Sequence, residues 1–198
     1  METMTLDVHK QASYSKLNFW LRAFGVYYII YIVHFVLISG YTFAALIVAQ
    51  LNMLLGFLTG RRHYDLTDFV VRFQKWNTKA NLAILGFIEP VPNIDIYKEA
   101  NDENFELKTS VPEAVSRGYC ILRLIGFVHV LLVPHYLYMF ILAIGFYFMY
   151  VIGFVVILFT GQWMDATYNF GVGVMRYGAR INLYALGLEE KYPSFSLS

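Results

Sequence analysis

Charged side chains vanish from two stretches of the chain, Ala23 to Gly60 and Leu124 to Met164, which are 38 and 41 residues long. A membrane-crossing helix needs about 20 apolar residues, so each stretch has the length of a helical hairpin. The pattern predicts four transmembrane helices, over about 16–38, 42–58, 114–138 and 143–159, with tight turns near Ser39 to Thr42 and Phe140 to Gly145. Pro134 is expected to kink the third. Behind the first stretch, Leu66, Phe69, Val70, Phe73, Trp76, Ala80, Ala83 and Phe87 recur at three- and four-residue spacing, opposite Asp65, Asp68, Arg72, Lys75 and Lys79. This is the signature of an amphipathic helix, over about 64–87, and its place behind a membrane-length apolar run predicts that it lies in the lipid interface. A second such helix, over about 165–188, sets Phe170, Val174, Tyr177, Ile181, Tyr184 and Leu188 against Asn169, Arg176 and Arg180. Alternation at Met4, Leu6 and Val8 predicts a short strand, matched by 105–109, and the two are expected to pair on the cytoplasmic face.

The two halves share more than a pattern. Shifted by 101 positions, Thr59 to Pro92 meets Thr160 to Pro193 without a gap, with ten identities in 34 positions. The same shift aligns Arg22 with Arg123, Gly25 with Gly126, His34 with His135, Asn81 with Asn182 and Glu89 with Glu190. A register held across polar residues indicates a tandem duplication: a first repeat over 1–88, an acidic cytoplasmic linker over 89–113, and a second repeat over 114–198. Two crossings per repeat would leave both copies in one orientation, related by a pseudo-twofold axis along the membrane normal. The expected fold class is therefore an all-α membrane protein of two hairpins, each followed by an interfacial helix, with short strands besides.

Composition sharpens this picture. The chain of 198 residues is 58% hydrophobic and 15% charged, against about 25% charged in a typical soluble domain. A net charge of +1 gives no electrostatic footprint for nucleic acid. Basic residues such as Lys10, Lys16, Arg22, Arg61, Arg62, Arg117 and Arg123 crowd one end of the predicted hairpins and avoid the turns, which places both termini in the cytoplasm by the positive-inside rule. Cys120 is the one cysteine, so no internal disulfide can form.

Several segments of the second half carry a family resemblance. Val111 to Arg117 (VPEAVSR), Val133-Pro134-His135, Leu158 to Gly161 (LFTG), Phe170 to Tyr177 (FGVGVMRY) and Lys191 to Leu197 (KYPSFSL) together resemble the domain of unknown function 4389 family of small bacterial membrane proteins. The resemblance implies a multi-pass protein of the bacterial inner membrane and no assigned activity. The first half departs from it, with Val33 before His34 and Val91 to Ile94 in place of the tail motif.

Candidate chemistry is sparse. His34 and His135 occupy matched positions inside the uncharged stretches. A histidine at that depth asks for a hydrogen-bond partner, and two facing each other across a pseudo-axis would permit haem or metal ligation. An imidazole bonded to a neighbouring carbonyl is the plainer reading. Arg61, Arg62, Arg72, Lys75 and Lys79, with Arg176 and Arg180, form a basic fringe suited to anionic headgroups. No phosphate loop, metal-ligand spacing or nucleophile motif is present, so no enzyme is expected. Three readings remain open. One is a non-enzymatic membrane scaffold or accessory subunit that binds anionic lipid and docks on a larger membrane protein complex. Another is a small transporter or channel with its site between the repeats, as a homo-oligomer. The last is a haem- or quinone-associated subunit using His34 and His135.

Overall fold

The computed structural model describes residues 4–89, 91–98 and 104–197. Of the predicted linker, Pro90, Glu99, Asp102 and Glu103 lie outside the described residues. The elements run β1 (Met4–Val8), α1 (Lys16–Ala23), α2 (Val26–Ile30), α3 (Ile32–Thr59), α4 (Tyr64–Leu85), β2 (Phe105–Thr109), α5 (Arg117–Leu124), α6 (Phe127–Leu131), α7 (Val133–Thr160) and α8 (Asp165–Ala185). Every element from β2 onward starts 101 residues after its counterpart in the first half.

The predicted hairpins do not form. Residues 39–42 and 140–145 are helical, and each uncharged stretch is divided into a short element and one 28-residue helix, α3 or α7. The polar residues that suggested a turn are satisfied inside α3: Ser39 Oγ donates to Phe35 O at 3.3 Å and Thr42 Oγ1 to Ile38 O at 2.6 Å, a back-bonding pattern that leaves the helix intact. The chain breaks instead at Gly25 and Gly126, at φ 75° and 76°, where only a residue without Cβ enters the left-handed region at no steric cost, and again at Tyr31 and Leu132, which precede the long helices. Pro134 falls in the first turn of α7, where a missing N–H costs no hydrogen bond, so it makes no mid-helix kink. Among the described residues two helices, α3 and α7, are long and apolar enough to cross a membrane.

Each long helix pairs antiparallel with the amphipathic helix that follows it. Asn52 Nδ2 donates to Thr67 Oγ1 at 2.9 Å, the rings of Tyr41 and Trp76 lie 5.4 Å apart, and Leu37 and Ile38 pack on the cluster of Trp76, Ala80 and Ile96. In the second pair Thr167 Oγ1 donates to Met149 O at 3.3 Å, and Tyr138 meets Tyr177 at 5.4 Å. The pairs meet through α4 and α8, with the Phe87 ring seated where Gly171 has no side chain.

The predicted strands do pair, antiparallel, with Leu6 opposite Leu107 and Val8 opposite Phe105. Alternation puts Leu6 and Phe105 into the core, while Asp7 and Lys108 stay exposed. The ribbon lies against α4 and α8, and two strands of this length need such a support. Ends are exchanged between the halves: α1 packs on α7, and α5 on α3. Tyr14 N donates to Gly161 O at 2.9 Å, and Val115 N to Gly60 O at 3.1 Å.

Candidate functional site

The basic fringe is largely turned inward. Arg62 is buried, and its Nη1 donates to Pro112 O at 2.7 Å and Ala114 O at 2.9 Å while its Nε donates to Gly187 O at 3.1 Å. Glu190 stands 3.4 Å from Nη2. Lys79 is buried with its ammonium 5.7 Å from the Phe105 ring centre. Arg176 donates to Leu6 O through Nε and Nη2, at 3.1 and 3.0 Å, and Arg180 to Ser196 O. Arg62 and Lys79 are thus buried, while the half-buried Arg176 and Arg180 hold carbonyls of the strand and the tail. The ribbon and tail occupy the polar side of the amphipathic helices, where the sequence reading placed lipid headgroups. Arg61, Arg72 and Lys75 keep partial exposure. Arg72 and Lys75 come together with Lys108 and Asp68 around a groove of about 310 Å³, and Arg72 is paired with Asp68 at 2.7 Å.

His34 and His135 are held separately. His34 Nε2 lies 3.0 Å from Pro92 O, a carbonyl partner of the kind the sequence predicts. His135 Nδ1 is hydrogen-bonded to the Tyr177 hydroxyl and its ring stacks on Phe195 at 4.0 Å, whereas its Nε2 is buried without a hydrogen-bond partner. Burial pushes the Tyr177 phenol up to about 12, so it keeps its proton at neutral pH. The two histidines thus have no shared partner, and among the described residues no three metal-ligating side chains gather.

The sequence reading passed over Arg22, Arg123 and Glu89 as site residues. Arg22 is buried, with one donor on Ala83 O at 3.0 Å and its guanidinium carbon 3.9 Å from the Tyr27 ring centre; its Nε and Nη1 have no hydrogen-bond partner, nor do Nε and Nη2 of Arg123. The aromatic face compensates part of that burial. Beside Arg22 lies a cavity of about 410 Å³ lined also by Gln11, Asn18, Tyr27, Tyr31 and Glu89, where Asn18 Nδ2 donates to Glu89 Oε1 at 2.9 Å. It presents a cation and a carboxylate together. The signal for these residues was the shared register, which holds Arg22 with Arg123 and Glu89 with Glu190.

Large exposed apolar side chains are segregated. They crowd α1 to α3 and α5 to α7, whereas among the described residues α4 exposes only Tyr64 and α8 none, and Ile94, Tyr97, Met164, Tyr192 and Phe195 lie outside the helices. The fold therefore defines a mostly helical protein with two long apolar helices left largely uncovered, 17% of each apolar window being buried. Residues 122–196 match the family model described as Domain of unknown function (DUF4389), the part of the chain that carries most of the motifs of the resemblance. No curated protein and no solved structure matches the chain.

Proposed function

We propose that the protein is a non-enzymatic scaffold or accessory subunit of the bacterial inner membrane, built by duplication of one unit, that sits in lipid through its uncovered helices and docks a larger membrane complex with its polar layer. The observation that carries this reading is the segregation of exposed apolar residues onto α1 to α3 and α5 to α7. Apolar surface of that extent needs a cover, and lipid suits two helices that carry no charge over 28 residues each. The common offset of 101 residues between elements supports the duplication. On the polar side, Asp7, Glu106 and Lys108 of the ribbon and Arg61 with Glu113 offer charged docking groups of both signs. The lipid grip through basic residues narrows to Arg61, Arg72, Lys75, Arg176 and Arg180, since Arg62 and Lys79 are buried.

The test is solubilisation of native membranes in mild detergent, followed by sizing and mass spectrometry of the peak that contains this chain. A larger partner in fixed stoichiometry, lost when Asp7 and Lys108 are both reversed in charge, supports the docking role. A homo-oligomer alone would overturn it.

A further inference from the structure

We infer that α3 and α7 lie along the membrane within one leaflet and do not cross it, the cover of their exposed sides being the acyl hydrocarbon of that leaflet. This rests on the membrane residence proposed above and adds its geometry. Length alone permits a crossing, because 28 residues rise about 42 Å, more than the hydrocarbon thickness of about 30 Å. The neighbours of α3 forbid it. From Asn52 against Thr67, through Tyr41 against Trp76, to His34 against Pro92, α4 and the segment after it accompany α3 along most of its length. Whatever depth α3 reaches, they reach.

Asp68, one turn into α4, and Arg72 and Lys75, near its middle, are only partly buried and line an open groove with residues of β2. A crossing α3 would carry these charges, a strand edge and irregular chain to the middle of the bilayer. Hydrocarbon excludes such groups, because nothing there replaces the hydrogen bonds of water. The second pair obeys the same constraint. Arg176 sits midway along α8, bonded to Leu6 O, and the irregular tail passes the start of α7, with Tyr192 donating to Leu131 O of α6 at 2.8 Å and Phe195 stacked on His135. Laid in the plane, both long helices can meet lipid while α4, α8 and the charged strand face remain on the aqueous side. This is the habit of an interfacial helix, scaled up to a folded layer.

The test uses the full chain with Cys120→Ser and a single cysteine introduced in turn at Val36, Phe43, Leu51 and Leu58, all exposed along α3. Each carries a nitroxide, and depth is read in phosphatidylcholine–phosphatidylglycerol vesicles from collisions with oxygen and with a water-soluble nickel chelate. The expected result is one common depth at all four sites, short of the midplane. A profile shallow at both ends and deepest at Phe43 and Leu51, on protein that floats with the vesicles, would overturn the in-plane geometry and leave membrane residence standing. Labels shielded from both colliders would show a protein cover and overturn it as well. Failure to float with vesicles would overturn the membrane reading itself.

Discussion

The two helix pairs are fastened at equivalent points by different chemistry. In the second, Trp163 Nε1 donates to Gly86 O at 2.8 Å, and its ring packs against Phe19, Phe87 and Tyr150. In the first, the position 101 residues earlier is Arg62, whose Nε donates to Gly187 O at 3.1 Å while Nη1 serves two further carbonyls. The acceptor is constant: the carbonyl of a left-handed glycine at the end of α4 or just past α8, φ 81° and 80°. Helix ends leave orphan carbonyls, and any N–H of the right reach satisfies one. The difference teaches that in this fold the acceptor defines the joint. The donor is free to be an indole in an aromatic nest or a guanidinium among backbone carbonyls.

Five substitutions are ranked by that comparison. Arg62→Met removes a buried bond to Gly187 O and two part-buried bonds, to Pro112 O and Ala114 O, so it should cost about 3 kcal/mol, whereas Trp163→Phe keeps the ring and loses one bond, for about 1 kcal/mol. Thermal unfolding of the two variants in detergent should place Arg62→Met clearly lower, and equal melting points would break the comparison. Next come the glycines themselves. A Cβ at Gly86 would lie 2.7 Å from Phe19 Cζ, and one at Gly187 2.9 Å from Met53 Sδ. Both alanine variants also carry backbone strain, but Met53 can yield and the enclosed Phe19 ring cannot. Gly86→Ala should therefore lose about 1 kcal/mol more than Gly187→Ala, which the same melts would detect. The smallest effect is expected at Lys10, whose bridge to Asp165 joins the halves at the surface. Exposed pairs contribute about 0.2–1 kcal/mol, so Lys10→Ala should barely move the transition, and added salt should erase what difference there is.

Much of this architecture was legible. Amphipathic spacing located α4 and α8 to within a few residues, strand alternation found the ribbon, and the register of 101 positions marked Gly25 with Gly126 and Arg22 with Arg123 before any role was known. The division of the apolar stretches was not legible. Ser39-Gly40-Tyr41-Thr42 has the composition of a turn, yet its hydroxyls bond back into α3, and the working break at Gly25 is a lone glycine in an apolar run. The surroundings of the basic fringe were hidden for a related reason. Helical periodicity shows that Lys79 and Arg176 avoid the apolar side, but not that a ribbon and a tail pack on the polar one. Long-range packing decides whether such a residue meets water, a headgroup or a carbonyl.

The account depends most on lipid as the cover of α1 to α3 and α5 to α7. The direct measurement is alkaline carbonate extraction of membranes from cells expressing the full chain, followed by detergent. Retention in the carbonate-washed pellet and release only by detergent is the predicted result. Recovery of the chain in the carbonate supernatant, folded and free of lipid, would contradict it.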